Sequence, residues 1–131
     1  MTIRYLTLEE ILQLHFFAIE DFGGSHGVRD ESRLQSVVAA PAQAVFGQDQ
    51  YESLYEKAAV YTRNIIGDHP FADGNKRTGI MTGVIFLMRN GFSLTASPTE
   101  LEDFAVTVAT EGLDVEAIAA WLEQQSKKEN I

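Results

Sequence analysis

The run His69-Pro70-Phe71-Ala72-Asp73-Gly74-Asn75-Lys76-Arg77-Thr78-Gly79 places a titratable base, a carboxylate, a glycine, an amide and two cations in one short stretch, just before an apolar helical segment. The first backbone N–H groups of a helix lack internal partners, and the helix dipole makes that end positive. Such an end binds anions readily. Gly74 lets a ligand approach the backbone closely. Asn75, Lys76 and Arg77 add donors around the same point; arginine can grip a phosphate with two parallel bonds, while lysine acts as a point charge. Asp73 is the candidate magnesium ligand, because magnesium beside phosphates keeps several waters and needs only one or two protein oxygens. His69 is the candidate general base: a histidine titrates near ~6.5 and can take a proton from an incoming hydroxyl. Taken singly, each residue has an ordinary explanation as helix end, turn or solvated cation. Their order at a helix start favours a site that holds a polyphosphate and does chemistry beside it.

The elements that must position these residues read as helix after helix. Thr7 with Glu10 is a capping box that opens a first helix through Leu8, Ile11, Leu12, His15 and Ile19, ended by Phe22-Gly23-Gly24. The glycine-rich segment from Gly23 to Asp30 is either a flap beside the site or an ordinary interhelix loop. Asp30 caps a second helix, interrupted or restarted at Pro41. A third runs from about Glu52 to Ile66, with Gly67 and Pro70 as stops. The motif helix begins near Gly74 and ends at Arg89 or Asn90; it is apolar most of the way round, which predicts a central, buried position. Phe92 to Thr95 is a short extended piece. Ser97-Pro98-Thr99-Glu100 opens a fifth helix that stops at Glu111-Gly112, and Asp114 caps a sixth. Residues 126–131 read as a frayed polar tail. The expected fold is all-α, a single domain over 1–131 with about six helices.

Composition narrows the function. At 131 residues the chain can bury a core without metal or disulfide staples, and it has no cysteine for thiol chemistry or cysteine-built zinc sites. The N-terminus lacks the apolar core of a signal peptide, and no run approaches a membrane span. A cytoplasmic protein with no membrane partner is expected. A net charge of -9 argues against direct nucleic-acid binding, which needs a basic surface. Lys76-Arg77 within the motif therefore points to one compact anion.

His-Pro-Phe-x-Asp-Gly-Asn-Lys-Arg resembles the Fic/Doc motif, His-x-Phe-x-(Asp/Glu/Asn)-(Gly/Ala)-Asn-(Gly/Lys)-Arg. Gly27-Val28-Arg29-Asp30 followed by Leu34 and Ser36, and Leu87 with Asn90-Gly91-Phe92, look like the short death-on-curing (Doc) branch, as does the chain length. The resemblance covers nearly the whole chain. It implies an all-α enzyme that uses ATP and Mg2+ to modify a target-protein hydroxyl, with His69 as base, Asp73 as magnesium ligand, and Gly74, Asn75, Lys76 and Arg77 as phosphate cradle. AMPylating Fic proteins carry glycine at the position of Lys76 and usually a second arginine where this chain has Ile80. These two departures favour the Doc reaction, transfer of the γ-phosphate of ATP, over adenylyl transfer. Pro70 and Gly74 are Fic-like in turn, and Gly67-Asp68 stands where Doc has an arginine before the histidine. The branch further implies the toxin of a toxin–antitoxin system, acting on a threonine of elongation factor Tu to arrest translation and neutralised by a Phd-like antitoxin. A catalytically silent binding module is the reading from another class.

Other signals carry less. Thr107, Glu111 and Gly112 match an inhibitory pattern of some Fic proteins, but the arginine it pairs with is Ile80 here and Glu-Gly is an ordinary helix stop. Arg63 and His69 have the spacing of small helical ribonucleases, which leaves the rest of the motif unexplained. His15 reads as a satisfied core histidine, His26 as exposed, and Trp121 as packing.

Overall fold

The computed structural model describes residues 2–129. Among them are six α-helices, α1 (Leu8–Phe22), α2 (Glu31–Ala39), α3 (Leu54–Asp68), α4 (Asn75–Arg89), α5 (Pro98–Glu111) and α6 (Val115–Gln124), with a 3-10 turn at Ala40–Ala42 after α2. Two small antiparallel ladders, β1 (Ala44–Val45) with β2 (Gln48–Asp49) and β3 (Phe92–Leu94) with β4 (Ser126–Lys128), complete a mainly α fold. Most helix starts follow from local chemistry. Thr7 with Glu10, and Ser97 with Glu100, form capping boxes, and Asp30 and Asp114 accept from the third residue beyond them.

Two boundaries differ from expectation. α3 starts at Leu54, because Ser53 and Glu56 make a capping box. It then runs straight through the exposed Gly67 and stops at Asp68. A single glycine costs a helix only about 1 kcal/mol. Pro70 is the stronger stop, since it disfavours helical geometry at the residue before it. The second difference is the C-terminal segment. Ser126–Lys128 does not fray: it pairs with Phe92–Leu94, and Glu129 N donates to Gly91 O at 2.7 Å. The β-pairing of the extended 92–94 piece supplies the partner that polar composition hides. Asn130 and Ile131 lie outside the described residues.

The centre is the antiparallel pair α3 and α4. α3 also packs on α2, α5 and α6, and it buries Ala58, Ala59, Val60, Tyr61, Ile65 and Ile66. α4 reaches it through two glycines one turn apart. A Cβ at Gly79 would lie 2.7 Å from Ile66 Cγ1, and one at Gly83 would lie 2.3 Å from Thr62 Oγ1. Thr62 Oγ1 donates to Gly79 O at 2.9 Å across this contact. α4 is central, as its composition predicts, but it is not covered all round. Met81, Val84 and Ile85 line an open cleft and Met88 is exposed.

Candidate active site

The loop between α3 and α4 carries the motif, and neighbouring elements fix it from three sides. Phe71 is buried, stacked on His15 of α1 with ring centroids 3.8 Å apart. His15 is the satisfied core histidine of the sequence reading, and its partner is the motif itself: Nε2 lies 2.8 Å from Asp73 O. The carbonyl can only accept, so Nε2 carries the proton. Burial pushes the His15 pKa down, which keeps the ring neutral. The glycine-rich segment lies along the loop from the other side. Val28 forms a β-bridge with Phe71, Ala72 N donates to Gly27 O, and both Arg29 N and Asp30 N donate to Pro70 O.

Asn75 ties the loop from within. Its side chain is buried, accepts from Phe71 N at 3.1 Å and donates to Phe71 O at 3.0 Å. The same amide nitrogen stands 3.4 Å from His69 Nδ1. The sequence reading places Asn75 in the phosphate cradle; its side-chain amide bonds the loop backbone and lies beside the histidine. His69 caps α3 in the left-handed region (φ 50°, ψ 59°) with its side chain exposed. That conformation costs a non-glycine residue roughly 1–2 kcal/mol. A glycine would sit there more cheaply.

Asp73 is exposed beside the α4 N-terminus. Its carboxylate accepts from Ser25 N at 3.1 Å and from Gly74 N at 2.8 Å, and these backbone bonds hold it below the usual carboxylate range. An ionised carboxylate has about four acceptor positions. Two are used here, so the group fits a magnesium ion that needs one protein oxygen. Among the described residues no three His, Cys, Asp or Glu side chains cluster as a metal site. Gly74 caps α4 in the left-handed region (φ 74°), where a Cβ would meet Ile19 Cδ1 at 2.9 Å. Among the described residues no side chain caps α4, so its first N–H groups have no side-chain acceptor.

Lys76 is exposed next to this helix end. Arg77 points into the cleft: its guanidinium lies 3.4 Å from the Phe22 ring centroid, and Nη2 is 3.3 Å from Glu102 Oε1 of α5. The cleft, about 470 Å3, runs from Asp73 and Lys76 between α4 and α5, over Ile80, Met81, Val84, Leu101 and Val106. Ile80 is buried in its wall. The structure thus brings His69, Asp73, Gly74, Asn75, Lys76 and Arg77 to one end of the α3–α4 pair. Sequence reasoning missed Ser25, Phe22 and Glu102. They lie in other segments, and only the tertiary fold shows what they touch. The pair Arg63 and His69 does not assemble into a site; Arg63 is exposed and bonds its neighbour Asn64. Thr107 donates to Asp103 O and Gly112 caps α5 in the left-handed region, as a helix stop should.

The model of the Fic/DOC family matches residues 5–87. Toxin Doc of Mycolicibacterium smegmatis is 38% identical over 121 residues, covering 91% of each chain. Protein kinase doc of Escherichia phage P1 is 33% identical over 117 residues, covering 89% of this chain and 91% of its own length.

Proposed function

This chain belongs to the Fic/Doc family, and we propose that it is the toxin of a toxin–antitoxin pair, a kinase that moves the γ-phosphate of ATP to a hydroxyl of a target protein. His69 takes the proton of the incoming hydroxyl; its exposed position on the loop leaves it within reach of a protein side chain. The phosphates lie at the α4 N-terminus, held by its N–H groups, Lys76 and Arg77. Asp73 holds Mg2+, which when bound neutralises charge on the phosphate oxygens. Asn75 keeps His69 and Phe71 in register. Catalysis on this plan is positioning and charge stabilisation, as is general for phosphoryl transfer.

The observation that carries kinase over adenylyltransferase is Ile80. It is 4% exposed in the cleft wall, at the position of the second arginine of AMPylating proteins. That wall offers no guanidinium at this point, and Lys76 stands where AMPylating proteins carry glycine. By the Doc resemblance the target is a threonine of elongation factor Tu, translation stops, and a Phd-like antitoxin covers the toxin in the cytoplasm. The apolar cleft beside Arg77 is the surface on which an antitoxin segment would fold. Among the described residues no helix is long and apolar enough to cross a membrane.

The test is incubation with a bacterial lysate and ATP labelled separately at the α and γ phosphorus. Label from γ alone is expected. Label from α makes the protein an adenylyltransferase, and growth arrest undiminished by His69→Ala makes it a binding module.

A further inference from the structure

Arg29 makes a contact that the phosphate chemistry does not use. Its guanidinium donates from Nε to His69 O at 2.7 Å and from Nη2 to Asp68 O at 2.9 Å. Arg33 of α2 adds a third bond, Nη1 to Asp68 O at 2.8 Å. Two cations therefore close the C-terminal end of α3, where carbonyls lack internal partners and the dipole is negative. The arginine fork is planar and rigid, so two bonds to consecutive carbonyls fix the direction of the peptide between them. That peptide leads into the strained left-handed turn of His69. The main chain of Arg29 is anchored as well, through its N–H to Pro70 O at 2.7 Å. Arg29 thus grips the histidine from its own peptide and from the residue after it, while Asn75 sits on the imidazole side.

We propose that Arg29 is the positioning residue of His69: its fork holds the left-handed turn closed and so sets where the imidazole meets the target hydroxyl. The inference rests on the reading of His69 as the base. Arg33 bonds only the Asp68 carbonyl and one face of Asp30, so it seats the helix end without orienting the histidine. Lysine at position 29 can place one point charge there but cannot make the forked pair. A misplacement of about 1 Å is enough to cost on the order of 100-fold in rate.

The experiment compares wild type, Arg29→Ala, Arg29→Lys, Arg33→Ala, His69→Ala and the double variant Arg29→Ala/His69→Ala. Initial rates of γ-label transfer into lysate protein are measured against ATP concentration, and amide hydrogen exchange is followed in the same proteins. Arg29→Ala is expected to lower kcat about 100-fold with KM for ATP unchanged, and Arg29→Lys to recover only part of it. Arg33→Ala should stay within about fivefold, the scale of one exposed bond. In the His69→Ala background Arg29→Ala should change nothing further, because both act through one group. Exchange at Phe71 and Ala72 should quicken in Arg29→Ala while α3 from Val60 to Ile66 stays protected. Unchanged loop exchange, or an Arg29→Ala kcat equal to wild type while His69→Ala is inactive, overturns the role of Arg29 alone. If His69→Ala is fully active, the base assignment fails, and the exchange result still decides whether the clamp exists.

Discussion

The close approach of α3 and α4 puts His69 and the α4 N-terminus at one end of the pair, and Gly83→Ala tests it directly. The added methyl would lie 2.3 Å from Thr62 Oγ1 and 3.1 Å from Ala58 O. Thr62 is fully buried, so its hydroxyl must leave Gly79 O with no water to replace that partner. An unpaired buried hydroxyl costs about 1–3 kcal/mol. Crowding the helix interface adds about 1–3 kcal/mol. Alanine in place of glycine returns about 1 kcal/mol of helix propensity. The expected loss is about 3 kcal/mol, read from urea denaturation, or roughly 10 °C in Tm for a chain of this size. Thr62→Ala removes the atom in the way. The double variant should then beat additivity by about 1–2 kcal/mol, with the remaining strain set by Ala58 O. A Gly83→Ala protein within about 0.5 kcal/mol of wild type, below the cost of any of these terms, refutes the close packing. An additive double variant means that Thr62 is not the obstacle.

Three further outcomes follow from the site. Asn75→Ala leaves the buried Phe71 N–H unpaired, so urea titration should show a loss of about 2 kcal/mol and γ-label transfer should fall at least tenfold; unchanged stability would remove the clip. Glu102→Gln releases Arg77 from a half-exposed ion pair worth at most ~1 kcal/mol, so KM for ATP should fall by no more than about fivefold, whereas a rise would mean that Glu102 orients Arg77 toward phosphate. The His15 pKa is depressed below its ordinary 6.5 by burial, so the unfolded chain takes up its proton first as pH drops. Stability should be level above that value and fall as pH drops through 6.5 toward the lower folded value, by up to ~1.4 kcal/mol per pH unit. His15→Gln, which keeps a donor for Asp73 O, should flatten this slope between about pH 7 and 5.5. The depressed carboxylates Glu10, Asp73 and Glu100 have ordinary values of 4.5 and below, and their stabilising effect is lost only at lower pH.

The motif was legible because its chemistry is contiguous: His69 through Arg77 span one helix end, one loop and one helix start. The helices were legible where caps are local, as at Thr7, Asp30, Ser97 and Asp114. What failed to show is non-local. β4 depends on a partner more than thirty residues away, with Lys128 opposite Phe92. The contacts of Asn75 depend on the loop folding back onto its side chain, where the N–H and C=O of Phe71 meet the amide. The apolar side of α4 read as core, and a sequence cannot distinguish a core face from the wall of a cleft.

That cleft bears on how one small site could be both active and restrained. Arg77 belongs to two surfaces. It belongs to the α4 N-terminus, the place proposed for a phosphate, and through Phe22 and Glu102 it also forms the mouth of the apolar cleft. Stacking on Phe22 and pairing with Glu102 hold the guanidinium on the cleft side while leaving most of its N–H donors free. A segment seated along Ile80, Met81, Val84 and Leu101 would pack against Phe22 and Glu102, and so against the arginine they hold. A phosphate drawing Arg77 toward the helix end would open the same mouth. The two occupants therefore compete for one side chain even where their volumes do not overlap. On the proposed function, neutralisation would need no contact with His69: it would need only to keep Arg77 on the cleft side, a demand that an apolar segment with one carboxylate near Arg77 would meet.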